Sequence, residues 1–260
     1  MTNNKTAVVT GASRGIGYEL SRLLARDGYN LILIARNEEL LGQVARELEA
    51  EFNIKAYVLA QNLSDAMAGD QIAARIKELN LPIHILVNNA GFGCQGPFSK
   101  SNSVSNLEMI LTNTVALTRL TQIFIPELVA NKGKILNTSS QAAFQPVPYF
   151  AVYAATKAYV LSFSQALAEE LKPKGVTVTA LCPGVTKTDF IRRAGMEDTR
   201  AAQGKLISSR AVAEIGYRGM LGGKTVVVPG IKEKVMTAAG RVAPRRLVAK
   251  IAGSLMRDRG

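Results

Sequence analysis

Tyr153 and Lys157 are the residues of this sequence whose types and spacing most directly suggest proton transfer. Their spacing of four places the phenol and the ammonium on one face of a helix, one turn apart. A free phenol with a pKa of about 10 is a poor acid–base group at neutral pH. An ammonium about 4 Å away, at an effective dielectric of ~20, favours the phenolate by up to roughly 4 kcal/mol, or on the order of three pKa units. The pair therefore predicts an acid–base centre that works near neutral pH.

Two hydroxyl residues, Ser139 and Ser140, follow the apolar run at 134–136 and precede this helix. A hydroxyl beside the acid–base pair can orient a carbonyl oxygen and stabilise the charge that develops on it. The residue types alone do not choose between the two serines. Because a Tyr-x-x-x-Lys pair also occurs by chance on surface helices, the interpretation depends on the elements that position these groups.

Those elements follow one pattern: short apolar runs rich in β-branched residues alternate with longer stretches at helical spacing. Strands are predicted at 6–10, 31–35, 56–60, 83–87, 133–138, 176–181 and 225–228, and the main helices at 15–28, 38–51, 65–79, 104–130 and 150–171. No repeat or low-complexity linker divides the chain, so residues 1–260 are expected to form a single domain. Right-handed crossovers make this an α/β doubly wound parallel sheet of about seven strands, a Rossmann fold, with ligands beyond the carboxyl ends of the strands.

A glycine-rich turn joins the first predicted strand to the first helix and reads Thr10-Gly11-Ala12-Ser13-Arg14-Gly15-Ile16-Gly17. Glycines let backbone N–H groups approach a pyrophosphate closely, and the start of the following helix adds a favourable dipole. The turn therefore predicts a dinucleotide-binding site. Its spacing, Gly-x-x-x-Gly-x-Gly, differs from the Gly-x-Gly-x-x-Gly of the general dinucleotide fingerprint.

Composition limits the classes of function. An apolar share of 47% and a charged share of 20% are those of a globular protein. No apolar run reaches the ~18 residues of a membrane span, and the first residues lead directly into a strand, so a cytoplasmic protein is expected. Cys94, Cys182 and the single His84 form no ligand motif, which predicts no metal site. We expect His84 to be a structural residue at the start of its strand.

The formal charge of +12 is concentrated in a C-terminal appendage, residues 231–260, which carries eight basic and two acidic residues, half of the net charge. No aromatic residue is interleaved there, which argues against nucleic acid. Within 245–256 an apolar arc (Leu247, Val248, Ile251, Ala252, Leu255) is opposed by Arg246, Lys250 and Arg257. Such a helix docks on the protein or lies on an anionic membrane surface. Docking is favoured, because Pro244 and the lack of Trp and Phe make a poor anchor.

Four motifs together carry a resemblance to a known family. They are the Thr-Gly-x-x-x-Gly-x-Gly turn, Asn88-Asn89-Ala90-Gly91 after the fourth strand, Tyr153-x-x-x-Lys157, and Pro183-Gly184 after the sixth strand. In order and spacing, over about residues 5–230, they resemble the short-chain dehydrogenase/reductase family. The resemblance implies a small-molecule carbonyl or alcohol substrate and a homodimer or homotetramer formed through helices 104–130 and 150–171.

The same resemblance implies the roles of four catalytic residues. The family's separation between serine and tyrosine selects Ser140, with Ser139 as a structural neighbour. Tyr153 becomes the general acid, Lys157 supplies charge, and Asn113 holds a water that links the lysine to solvent. Asn is a poor residue for a helix interior, which is consistent with a polar role for Asn113.

The implied cofactor is NADP(H). An NAD enzyme places an acidic residue at the end of the second strand, whereas this chain has Arg36 there and Arg14 in the glycine turn, both suited to a 2′-phosphate. Asn62 stands where the family usually has an acidic residue beside the adenine, and its amide oxygen is expected to bond the exocyclic amine. The full predicted cofactor set is Gly11, Ser13, Arg14, Gly15, Ile16, Gly17, Arg36, Asn62, Leu63, Asn89, Gly91, Tyr153, Lys157, Pro183, Thr186 and Thr188.

The sequence thus predicts an NADPH-dependent carbonyl reductase, reversibly an alcohol dehydrogenase. Phe144, Phe150 and Phe190 hint at a hydrophobic ketone of steroid-like or 3-oxoacyl type, although all three are equally compatible with the core. The segment at 189–209, where the family has its substrate lid, is irregular in pattern. The alternatives are a non-catalytic nucleotide-sensing protein, or a membrane-surface-binding protein, on the same fold.

Overall fold

The computed structural model describes residues 5–204 and 206–257, apart from the side chains of Lys232, Arg241 and Val242. A seven-stranded parallel sheet forms the centre of the molecule, in the order β3-β2-β1-β4-β5-β6-β9. Its strands are β1 (Thr6–Thr10), β2 (Asn30–Ala35), β3 (Ala56–Ala60), β4 (Ile83–Asn88), β5 (Lys134–Thr138), β6 (Thr177–Leu181) and β9 (Val226–Val227). The order reverses between β1 and β4, which confirms the predicted doubly wound fold and places a ligand crevice at that point.

Helices cover both faces of the sheet, and this explains why the strands are apolar throughout. One face is covered by α1 (Gly15–Arg26), α2 (Glu38–Glu51) and α8 (Ser209–Leu221). The other is covered by α3 (Ala68–Leu79), α5 (Leu117–Ala130) and α6 (Ala151–Leu171). Each face therefore has its own hydrophobic core, and the two are separated by the sheet.

The predicted helix at 104–130 is interrupted. It consists of α4 (Ser103–Ile110), a π-helical segment at Leu111–Ala116, and α5. Threonine hydroxyls bond to backbone carbonyls four residues earlier around this segment, Thr114 to Ile110 and Thr118 to Thr114, a pattern that distorts helices. Single π turns frequently occur at functional sites, and this one carries Asn113.

Other boundaries differ from the prediction for local reasons. Helix α1 ends at Arg26 instead of 28, because Gly28 adopts a positive φ of 82°. Helix α3 begins at Ala68 instead of 65, because the Asp65 carboxylate accepts the N–H of Met67 in a turn. The 189–209 segment contains a short helix, α7 (Phe190–Arg193), and β8 (Ile207–Ser208), which pairs with β7 (Thr186–Lys187).

Two further helices, α9 (Ile231–Val242) and α10 (Arg245–Met256), form the appendage as far as residue 257; its last three residues lie outside the described residues. Helix α10 has the predicted bounds and packs on the protein, as expected: Gly253 lies against Pro148, and the Gln95 amide donates to the Met256 carbonyl at 2.8 Å. Among the described residues, no helix is long and apolar enough to cross a membrane.

Candidate active site

The predicted catalytic residues converge at the carboxyl ends of β4, β5 and β6. Tyr153 and Lys157 occupy the first two turns of α6, and their side chains are buried, with residue exposures of 8% and 4%. The two serines that follow β5 point to different partners. Ser139 donates its hydroxyl to the Lys157 carbonyl at 2.8 Å and so holds the helix in place, whereas Ser140 interacts with the phenol of Tyr153. The geometry therefore brings Ser140, and not Ser139, to the reacting end of Tyr153.

The pKa of Tyr153 departs from the sequence expectation. Burial raises it to about 12, and the hydrogen bond from Ser140 only partly opposes this increase. The ammonium of Lys157 lies 5.7 Å from the centre of the tyrosine ring and donates to the Thr138 carbonyl at 2.8 Å. Burial also lowers the pKa of Lys157 to about 8. The prediction of a phenol titrating near neutrality was wrong for this structure, because it counted the attraction of the charges without their loss of hydration.

Asn113 is buried in the π-helical segment and connects three parts of the site. Its Nδ2 donates to the Phe92 carbonyl and to the Thr156 hydroxyl, each at 3.0 Å, and its Oδ1 accepts the Phe92 N–H at 3.1 Å. A Cβ on Gly91 would lie 2.9 Å from this oxygen and 3.1 Å from Lys157 Nζ. The side chain thus fixes the loop after β4 to α6, beside the lysine. These bonds use both N–H groups of the amide and one of the two lone pairs of its oxygen, and the predicted water at Asn113 stays a prediction.

The glycine turn has the shape of a phosphate cradle. Gly11 and Gly15 have φ values of 67° and 59°, and a Cβ on Gly17 would overlap the Gly11 carbonyl and the Asn89 amide. Asn89 secures the turn by donating to the Thr10 carbonyl at 3.1 Å. Helix α1 begins without a side-chain cap, so its first N–H groups are available to a phosphate. This observation fits the pyrophosphate of a dinucleotide.

Residues 183–190 follow β6, and this segment packs against the glycine turn. The Gln141 N–H donates to the Pro183 carbonyl at 2.8 Å, which ties this loop to the one carrying Ser140. Thr188 lies next to Gly15, whose added Cβ would be 3.2 Å from the threonine methyl. Thr186 is buried and donates to the Gly184 carbonyl at 3.0 Å. Of the predicted contacts at 183, 186 and 188, Thr188 is therefore the one that lies against the glycine turn.

Some of the residues predicted to contact the ribose and adenine are free to bind a ligand, and others are already bonded to neighbouring residues. Arg36 is exposed and makes no ion pair with any residue in the described part of the chain. Arg14 instead pairs with Asp189, in the segment after β7, at 2.6 Å. The Asn62 oxygen accepts from the N–H and hydroxyl of Ser64, so it is engaged in its own turn. The Leu63 side chain is buried in the core, and its contact with the adenine stays a prediction. Ser13 and Ile16 are half-buried in the glycine turn.

Apolar side chains surround Tyr153. Its ring stacks on Phe150 with centroids 4.4 Å apart and lies 5.4 Å from Phe190. Phe144 belongs to a different cluster, with Leu161, Ala180 and Cys182, so only two of the three suggested phenylalanines form the wall. Methionines and alanines complete the cluster around Tyr153: Met109, Met196, Ala154, Ala194, and Ala252 and Met256 from α10.

Several contributions were missed from the sequence. The Thr10 hydroxyl accepts the N–H of Asn89 at 2.9 Å, and the Thr138 carbonyl holds Lys157, both at the ends of strands. The sequence feature that could have identified both residues is a threonine at the end of a predicted apolar strand. Met256 was missed because the apolar arc of α10 did not indicate where the helix docks.

The remaining reactive side chains have structural roles. His84 lies at the opposite edge of the sheet, where its Nδ1 is 3.4 Å from the N–H of Thr6, as expected. Cys182 is buried, and burial raises the pKa of its thiol to about 12, so it behaves as a small apolar residue. No group of side chains in the described part of the chain is arranged to hold a metal ion.

Fold and site together define a class of protein. The sheet order, the phosphate cradle at its switch point and the Ser–Tyr–Lys cluster are the features of a dinucleotide-binding oxidoreductase domain. The family model for short chain dehydrogenases matches residues 5–198. The chain belongs to the short-chain dehydrogenase/reductase family.

Individual relatives show which members of the family this chain resembles. The chain is 37% identical over 191 residues to a very-long-chain 3-oxoacyl-CoA reductase from Bos taurus, covering 72% of this chain and 61% of the relative. It is 28% identical over 251 residues to the ketoacyl reductase HetN from Nostoc sp., covering 92% and 85%. A short-chain dehydrogenase from Sphingobium yanoikuyae, solved with NADPH, superposes with a TM-score of 0.82 at 30% identity, covering 91% and 94%. The chain thus spans about three fifths of the length of the 3-oxoacyl-CoA reductases that it matches.

Proposed function

We propose that this protein is an NADPH-dependent reductase of hydrophobic ketones, of which 3-oxoacyl thioesters are the leading class. The observation that carries the proposal is that Tyr153, with Ser140 and Lys157 beside it, belongs to an apolar cluster near the glycine turn. The names of the bovine and Nostoc relatives support the 3-oxoacyl class. A panel of ketones and 3-oxoacyl thioesters of increasing chain length, followed by NADPH absorbance, tests it; no turnover of any member would reject it.

The site residues divide the work of carbonyl reduction. When bound, the reduced nicotinamide supplies the hydride that the carbonyl carbon accepts. The hydroxyl of Ser140 orients the carbonyl oxygen, and Tyr153 donates the proton that this oxygen gains. Lys157 stabilises the negative charge left on the phenol. Phe150 and Phe190 exclude water from the proton path and favour an apolar substituent on the ketone.

The pKa values predict how the rate of carbonyl reduction changes with pH. With values of about 12 for Tyr153 and about 8 for Lys157, both side chains carry their protons at pH 7. As pH rises through about 8, Lys157 loses its charge and its stabilisation of the phenolate that forms during reduction. We expect kcat/KM for reduction to be level below pH 8 and to fall above it. In Lys157→Met the overall rate should be low and this limb absent; a limb that persists would assign the titration elsewhere.

Preference for NADPH is proposed to depend chiefly on Arg36, since Arg14 is paired with Asp189. Arg36→Ala should raise KM for NADPH by about tenfold or more, the value of one charge-assisted hydrogen bond, and leave KM for NADH unchanged. Arg46→Ala, an exposed arginine on the following helix, is the matched control. Steady-state kinetics with NADPH and NADH measure both Michaelis constants. A wild-type preference for NADH would overturn the assignment of NADPH as the cofactor.

We also propose a homodimer or homotetramer formed through α4, α5 and α6. Support comes from exposed apolar side chains on these helices and the π-helical segment, namely Val104, Leu107, Ile110, Val115 and Tyr159.

A cytoplasmic location is likewise proposed. It is supported by the free thiols of Cys94 and Cys182, the first of them exposed.

A further inference from the structure

The C-terminal helices use only part of their apolar surface to contact the protein. Helix α10 docks through a stripe that includes Ala252, Gly253 and Met256. Helix α9 lies along the loops that follow β5 and β6, with Gly240 near the Gln145 side chain and Glu233 near Gly184. Of the predicted apolar arc of α10, only Ala252 belongs to this docked stripe, and part of the arc faces outward.

The outward faces carry aliphatic side chains one turn apart. On α10, Leu247 and Ile251 are each 51% exposed, and on α9, Ile231 and Val235 are 82% and 62% exposed. A single exposed aliphatic residue is ordinary, but i, i+4 pairs on two consecutive helices form a surface that a partner would bury. The two helices are separated by only Ala243 and Pro244.

Exposed basic side chains flank these aliphatic residues on the same two helices. Arg245, Arg246 and Lys250 are exposed on α10, and none of them forms an ion pair with a residue that the structure describes. Lys234 is exposed next to Val235 on α9. The sequence of α10 contains no acidic residue. Positive charge beside exposed aliphatic side chains complements a bilayer that carries anionic headgroups.

Two other occupants fit the surface less well. A second copy of the chain would bring the same uncompensated positive charge to the interface, and like charges repel. Nucleic acid would accept the charge, but residues 231–257 contain no aromatic side chain for a base to stack on. The absence of Trp and Phe also limits how deeply these helices can insert into lipid.

We propose that the outward surface of α9 and α10 binds anionic bilayers peripherally and reversibly. The docked surface of α10 belongs to the apolar cluster around Tyr153, through Ala252 and Met256. Membrane binding therefore places the lipid surface next to the substrate-binding wall, where an apolar substrate partitioned into the bilayer is at high concentration. The binding itself does not depend on the proposed reductase activity.

The test is sedimentation of the full-length protein with vesicles of phosphatidylcholine, with and without phosphatidylglycerol. We expect binding that requires phosphatidylglycerol and is lost at about 0.5 M salt. Replacing two cations in Arg246→Gln/Lys250→Gln should weaken partitioning by about 30-fold. Leu247→Ser/Ile251→Ser should weaken it by about tenfold or more. Lys172→Gln/Lys174→Gln removes equal charge from another exposed site and should have little effect.

Thermal unfolding and NADPH binding, measured for every variant, establish that each is folded. Failure of the wild-type protein to bind anionic vesicles would overturn the proposal. Equal loss of binding in the Lys172/Lys174 variant would also overturn it, because overall charge would then be responsible. Light scattering tests the second-copy alternative: a lower mass for Leu247→Ser/Ile251→Ser, without vesicle binding by the wild type, would assign the surface to self-association.

Discussion

Replacing Tyr153 by Phe is expected to lower kcat for ketone reduction by about 10³-fold or more, the upper range of general acid catalysis. The variant loses only the phenol oxygen, so its ring can still stack on Phe150 and contact Phe190. The fold and the nucleotide affinity should therefore be unchanged. A loss of this size corresponds to about 4 kcal/mol of transition-state stabilisation.

Stopped-flow or steady-state assays, together with fluorescence titration of NADPH, provide the measurement. Tyr159→Phe is a matched control on the same helix, because it removes a hydroxyl that lies 2.8 Å from the Thr118 hydroxyl, away from the site. It should retain normal kcat. Turnover by Tyr153→Phe within about tenfold of the wild type would reject the phenol as the proton donor.

The second large effect is expected from Gly17→Ala. The added methyl group would overlap the Gly11 carbonyl and the Asn89 amide, and both groups are held in place by the turn. The turn must then open, which displaces the N–H groups that line the phosphate cradle. We expect the Kd for NADPH to rise by about 100-fold, equivalent to about 2.8 kcal/mol.

Gly204→Ala is the control for this change. Among the described residues other than its chain neighbours, no atom lies within 4 Å of a Cβ built on Gly204, so the substitution should alter neither nucleotide binding nor the free energy of unfolding. Titration of NADPH and thermal unfolding of both variants are sufficient. If Gly17→Ala bound NADPH with wild-type affinity, the turn would be able to accommodate the methyl group. The proposed role of this turn in binding the phosphates would then be rejected.

The positions of strands and strand-end residues were accessible from the sequence for a physical reason. Parallel strands that are buried on both faces are recognised as continuous apolar runs, and β1 and β3 have the predicted bounds. Their carboxyl ends meet at one edge, which brings together residues as distant in sequence as Asn89, Ser140 and Thr186. The convergence of the site thus follows from the βαβ pattern itself.

Other features depend on tertiary contacts that a pattern does not contain. The π-helical turn at Asn113 requires the bonds of its amide to Phe92 and Thr156. The pKa values of Tyr153 and Lys157 depend on burial, which helical spacing leaves unspecified. Likewise the face of α10 that docks is chosen by Pro148 and its neighbours, so the outward position of Leu247 and Ile251 was not predictable.

Isotope transfer from NADPH to a ketone tests directly whether this protein is a reductase. The protein would be incubated with NADPH deuterated at the transferable position and with a long-chain 3-oxoacyl thioester, and the product analysed by mass spectrometry. We expect deuterium at the new carbinol carbon in proportion to the NADPH oxidised, and we expect this incorporation to be lost in Tyr153→Phe. If the protein bound NADPH tightly but transferred no deuterium to any ketone or 3-oxoacyl substrate, the proposed reductase activity would be contradicted. That result would favour a nucleotide-sensing protein.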